Sequence, residues 1–309
     1  MTLAKPPVAD CRKERWLVVG RGAIGLLAAS RLALHQVPVQ LWLRQPQSFS
    51  YRFSVGQQDF PMQLSAADTG PWTKVLIPVK AYDVVAAVQA LLPYLAADAQ
   101  LILCHNGMGT LDPVSALLSS RQGLWFASTT QGAYKPTLLQ IRHTGFGETI
   151  LAPVNHAAQK CDWPLAAELG KALGPLQQVE DITPFLWRKL AINAVINPLT
   201  ALQQCRNGVL LQAEFQPVIN RLIAEFVAVA ACCGQQFSES ELKQHLVHVQ
   251  STTAGNYSSM QQDVAMGRKT ELGAITGFLL QQAKLHQLDI PHHQQLYDAL
   301  TAHLARWQY

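Results

Sequence analysis

With 309 residues, the chain is long enough for two domains, each with a core of its own. Its hydrophobic content is 49% and its charged content only 14%, below the roughly 25% of an average globular protein, which argues against a disordered chain. The net charge of +4 is spread thinly, with no long Lys/Arg run, so a nucleic-acid partner gains no support and an anionic small ligand fits just as well.

At the N-terminal end, Arg12, Lys13 and Arg15 precede the apolar WLVVGRGAIGLLAAS in the manner of a signal peptide. Arg21 interrupts that run, and its glycine spacing gives a better explanation. No other segment approaches the roughly 18 uninterrupted apolar residues of a membrane span, so a soluble protein with no membrane partner is expected. The six cysteines, Cys11, Cys104, Cys161, Cys205, Cys232 and Cys233, show no C-x-x-C spacing and read as reduced thiols in the cytoplasm.

After a polar leader, residues 1–14, RWLVVG at 15–20 predicts a short buried strand, residues 23–36 a helix, and VPVQLWLR at 37–44 a second strand. Further apolar runs at 74–79 and 100–107 flank a helical pattern at 81–95. This β-α-β alternation predicts an α/β domain with a parallel, doubly wound sheet over residues 1–180. Long helical patterns at 185–204, 217–233, 238–253 and 271–286 then predict an all-helical domain over 181–309. The border falls in LGPLQQVEDITP, where Gly174, Pro175 and Pro184 punctuate the chain. His245 and His248 have helical metal-ligand spacing but no third ligand nearby, and read as a solvated helix face.

GRGAIG, at 20–25, matches G-x-G-x-x-G between the first strand and the first helix. Gly20 permits a tight turn, Gly22 lets the backbone approach a pyrophosphate, and Gly25 lets helix and strand pack closely; Arg21, Ala23 and Ile24 complete the cofactor loop. An NAD site usually places a carboxylate about 20 residues further on. Here LWLRQPQ offers Arg44, whose guanidinium suits the 2′-phosphate of NADP, so NADPH is the expected cofactor. An exposed strand-end charge is the alternative reading of Arg44.

LWRKLAINAVINPLTAL, at 186–202, places Lys189, Asn193 and Asn197 at intervals of four in a greasy helix, which makes one polar stripe. That stripe faces bulk water, a polar neighbour or a solvated cavity. Pro198 predicts a kink that turns Asn197.

Together GRGAIG, WLR, PVKAYD, HNGMGT, LWRKLAINAVINPLTAL, SSMQQD and KTELGAITGF resemble, in order and spacing, the ketopantoate reductase family; the resemblance runs from Arg15 to about Pro291. It implies an N-terminal Rossmann-type domain, a helical C-terminal domain, and NADPH and ketopantoate bound in the cleft between them. It also implies that Lys189 is the catalytic lysine, that Glu271 acts near the cofactor and reaction centre, and that Asn193, Asn197, Asn207, Asn256 and Ser259 hold substrate. On the cofactor side it implies Lys80, Asn106 and a backbone contact at Ala133, with Asn106 also touching substrate. The chain departs from the family pattern in its leader, in Arg21, and in TTQGAY around Ala133. Another branched 2-oxo acid as substrate and a non-catalytic NADPH sensor are the rival readings, and a monomer or a homodimer fits equally well.

Overall fold

The computed structural model describes residues 15–306; the leader, with Cys11, and residues 307–309 lie outside the described residues. The chain folds into two compact units. Among the described residues, one comprises 15–105 together with Thr110–Ile182, and the other comprises Asn106–Gly109 and 183–306. A four-residue piece of the N-terminal half thus belongs to the second unit, which a single cut of the sequence does not describe.

In the first unit the order is β1 (Trp16–Val19), α1 (Ala23–Leu34), β2 (Val39–Trp42), β3 (Phe49–Val55), β4 (Gln58–Leu64), β5 (Trp72–Ile77), α2 (Ala81–Leu91) and β6 (Leu95–Leu103). There follow α3 (Leu111–Ser115), β7 (Gly123–Thr129), β8 (Gly132–Tyr134), β9 (Gln140–Gly145), β10 (Thr149–Pro153), α4 (His156–Gln159), α5 (Leu165–Leu173) and β11 (Leu176–Gln178). The main sheet has the order β11-β10-β7-β6-β5-β1-β2. From β7 to β2 every pairing is parallel, whereas β10 runs antiparallel to β7. Strands β1 and β5 are buried along their whole length, which is why β1 and the Val75–Ile77 end of β5 read as apolar runs rather than as alternation.

A second sheet, β4-β3-β9-β8, was not among the sequence expectations. Its signal lies in FSYRFSV, where Phe49, Tyr51 and Phe53 are buried and Ser50 and Arg52 exposed. Gly56, at φ +57°, then turns the chain into β4. Helix α1 packs on β1 and β2 of the main sheet and on β8 and β9 of the second. Covered on several sides, it is apolar nearly all round, and this explains its likeness to a signal peptide. Its Ser30 bonds the Leu26 carbonyl and the Tyr51 hydroxyl, so no polar group is stranded. Beneath the sheet, buried Lys74 donates to both carboxylate oxygens of Glu168, at 2.8 and 2.7 Å, and the Trp16 indole donates to the same carboxylate.

The second unit contains α6 (Thr183–Gln203), α7 (Gln216–Cys232), α8 (Glu239–Thr252), α9 (Ser259–Ala265), a π-helical turn (Gly273–Gly277), α10 (Phe278–Leu285) and α11 (Pro291–Ala305). The expected helices at 185–204, 217–233 and 238–253 are present within two residues. The expected helix at 271–286 is instead the π turn followed by α10, and α11, whose buried stripe is only His293, Leu296 and Leu300, escaped notice. The stretch Ala213–Cys232 is long and apolar enough to cross a membrane by length and composition alone. In this fold its Ile219, Leu222, Ile223, Phe226 and Val229 belong to the helical core. Helix α6 runs without a break through Pro198, the position of the expected kink. Ala194, Pro198 and Leu199 are buried there, and that packing holds the helix through the missing donor.

Candidate active site

In the first unit the candidate groups gather at the carboxyl ends of the parallel strands. Strand order reverses at β1, which lies between β2 and β5, and the glycine fingerprint follows β1 at that switch point. Gly20 has φ +83°, a left-handed conformation that favours glycine, and its amide donates to the Trp42 carbonyl of β2. A Cβ on Gly25 would stand 3.1 Å from the Pro78 ring and 3.3 Å from the Gly20 carbonyl. Close packing with the β5 turn therefore fixes the third glycine. At Gly22, the N-cap of α1, a Cβ would meet nothing nearer than the Pro78 carbonyl at 3.7 Å. The protein's own packing does not require glycine there, so the open backbone fits the close approach of a phosphate group.

Three further expected cofactor residues surround this loop. Lys80 caps α2, two residues beyond the Pro78 that packs on Gly25. Arg44 is 90% exposed and lies 3.4 Å from Asp83 in the first turn of α2, a loose surface pair; Asp83 is a carboxylate that sequence reasoning did not place beside it. Ala133 lies on β8, and two residues later the Lys135 ammonium donates to the Arg21 carbonyl at 2.9 Å. The Arg21 guanidinium itself lies over the Phe49 ring, 5.5 Å from its centroid.

In the second unit α6 carries the polar stripe. Leu186, Trp187 and Leu190 around it are buried, Lys189 and Asn193 are half-buried, and Asn197 is buried at 6% exposure. One turn on, Thr200 shares a 2.7 Å hydrogen bond with Ser258, whose hydroxyl also accepts from the Gln261 amide as the N-cap of α9. The cap is thus Ser258, and the expected substrate residue Ser259 is the exposed first residue of the helix. Asn207 joins the loop before α9, its amide donating to the Asn256 carbonyl and its side-chain NH₂ to Thr253. Its side-chain oxygen is buried with no hydrogen-bond partner, the kind of group that a ligand donor satisfies. Asn256 itself is exposed.

The segment Asn106–Gly109 supplies the rest. Asn106 donates to the buried Glu271 carboxylate at 3.4 Å, and the Met108 amide donates to the Ala274 carbonyl of the π turn. Gly107 has φ +80°, and a Cβ there would come within 2.5 Å of that carbonyl. The HNGMGT motif is therefore glycine-rich because its backbone lies directly on the π turn. Helix α6 packs against the same turn.

A doubly wound sheet with a glycine fingerprint at its switch point, followed by a helical unit with a lysine-asparagine stripe, defines a Rossmann-type NAD(P)-binding oxidoreductase. The family described as "Ketopantoate reductase PanE/ApbA" matches residues 16–156, and its "C terminal" counterpart matches residues 181–304. The chain belongs to the ketopantoate reductase family. It is 38% identical over 292 residues to the 2-dehydropantoate 2-reductase of Vibrio cholerae, covering 94% of this chain and 98% of that protein. The 2-dehydropantoate 2-reductase of Escherichia coli O157:H7 is 32% identical over 295 residues, covering 91% and 92%. Among solved structures, a PanE/ApbA family ketopantoate reductase from Ralstonia eutropha superposes with a TM-score of 0.84 at 24% identity, covering 96% of this chain and all of that one. D-mandelate dehydrogenase with NADH and anilino(oxo)acetate superposes at 0.85 with 18% identity and the same coverage, a likeness of fold.

Proposed function

We propose that this protein reduces ketopantoate (2-dehydropantoate) to (R)-pantoate, the reduction step of pantothenate and coenzyme A synthesis. NADPH, when bound, supplies the hydride. The observation that carries this reading is the α6 stripe, a half-buried lysine in line with two asparagines, in a chain so similar to proteins named for that reaction. Gly20, Arg21, Gly22, Ala23, Ile24, Gly25, Lys80 and Ala133 would hold the cofactor, and Arg44 would take its 2′-phosphate in exchange for Asp83.

The chain's own part in the chemistry is electrostatic. As the ketone carbon is reduced, negative charge gathers on its oxygen, and a fixed ammonium stabilises that charge more than it stabilises the neutral ketone. Lys189 takes this role and then delivers its proton to the oxygen. Glu271, tied to Asn106, orients the reacting groups. Asn193, Asn197, Asn207, Asn256 and Ser259 contact the carboxylate and hydroxyl groups while leaving the positive field intact. The unpaired oxygen of Asn207 supports a hydroxyl donor in the substrate.

Loss of NADPH absorbance with ketopantoate and a few other branched 2-oxo acids tests the reading. Turnover fastest with ketopantoate supports it, and absence of turnover with all of them refutes it. The cofactor assignment has its own test. Arg44→Asp should raise KM for NADPH much more than KM for NADH, and equal effects on both remove the 2′-phosphate role.

A further inference from the structure

Lys135 is a cation that neither the glycine fingerprint nor the family motifs single out. It lies 114 residues from Arg21 in sequence, yet its ammonium donates to the Arg21 carbonyl. That carbonyl belongs to the peptide bond from Arg21 to Gly22, just after Gly20, whose positive φ makes the turn; Gly22 is the N-cap of α1, where an added Cβ would meet only the Pro78 carbonyl at 3.7 Å. A full positive charge is thus pinned to the backbone that the cofactor reading assigns to a pyrophosphate. Arg21, with its guanidinium over Phe49, adds a second charge on the same loop.

Resting on the proposed cofactor, we propose that Lys135 is a positioning residue for the dinucleotide. It holds the Arg21 peptide in its phosphate-receiving conformation and contributes positive charge to the pyrophosphate, and not to the 2′-phosphate assigned to Arg44. An ammonium carries three donors, so it can hold a carbonyl and face an anion together.

The test is direct binding by calorimetry to the full chain, with wild type, Lys135→Met and Lys135→Arg. The probes are NADPH, 2′-phospho-ADP-ribose, which retains the pyrophosphate, and 2′-AMP, which lacks it. The expected result is a roughly tenfold weaker binding of the first two probes to Lys135→Met, the scale of one charge-assisted contact. Binding of 2′-AMP should stay within a factor of two, and Lys135→Arg should restore most of the loss. The difference should also shrink at high salt. Unchanged binding, or equal weakening of all three probes, overturns the inference while leaving the cofactor reading standing. Wild type that binds neither NADPH nor 2′-phospho-ADP-ribose fails the cofactor reading itself, and the inference falls with it.

Discussion

The two units spend their lysines differently. In the sheet unit Lys74 is 5% exposed and grips both oxygens of Glu168, a pair further held by Trp16. In the helical unit Lys189 is half-buried on a stripe shared with Asn193 and Asn197. One ammonium is enclosed and committed to a carboxylate, as a structural charge must be. The other lies on a stripe with two neutral amides, and the proposed function gives its charge to the reacting oxygen. The same contrast holds for the sites at large: the sheet unit offers backbone shaped by glycine, and the helical unit offers side chains aligned on helices.

The largest effect should come from Lys74→Met, which leaves Glu168 without its cation and costs about 3–5 kcal/mol. Urea unfolding would show it, and a loss under 1 kcal/mol would erase the contrast. Next is Lys189→Ala, which should cut turnover at least ~100-fold, or about 2.7 kcal/mol of transition-state stabilisation, while the urea midpoint stays close to wild type. Near-normal turnover would remove Lys189 from the chemistry.

Gly107→Ala sharpens the comparison, because here glycine shapes the helical unit too. Its positive φ and the Ala274 carbonyl 2.5 Å from the added Cβ predict a loss of about 1–3 kcal/mol. Turnover should fall with it, since Asn106 and its bond to Glu271 share the segment. A variant as stable and active as wild type would show that the segment does not need this conformation.

The smallest effect concerns Glu225, which accepts hydrogen bonds from the amides and Nδ1 atoms of both His292 and His293 at the start of α11. Burial alone would raise its carboxyl, but these donors outweigh burial and hold it at about 2, below its ordinary 4.5. Since the folded value lies below the unfolded one, the stabilisation is complete above about 4.5 and is lost as pH falls toward 2. Burial also lowers His293, against the pull of Glu225, so protonating it opposes folding in the same acid direction. Glu225→Gln should cost about 1–2 kcal/mol at pH 7. The deficit should narrow by pH 3 in urea titrations; a constant deficit would contradict the depressed carboxyl.

Residues whose signal is local were legible in the sequence. Gly20, Gly22 and Gly25 sit within six residues, and their meaning follows from one turn between a strand and a helix. The period-four stripe of α6 was equally plain. In the second sheet the β3–β4 hairpin across Gly56 does carry a local signal, whereas β3 also pairs with β9, some 90 residues away, and nothing local announces that partner. The π turn was missed because its sequence, GAITG, fits an ordinary helix. Asp83 beside Arg44 and Lys135 on Arg21 went unseen for the same reason as β9: their partners lie 39 and 114 residues distant.

By itself the sequence determined the first β-α-β unit, the glycine loop within it, helices α6 to α8 and the polar face of α6, because periodicity and glycine geometry act over a few residues. Only the tertiary structure decided that Asn106–Gly109 belongs with the helical unit, that Ser258 rather than Ser259 caps α9, and which carboxylate each lysine meets. Those choices depend on which distant surfaces pack together, and a hydrogen bond across a hundred residues leaves no period in the chain that makes it.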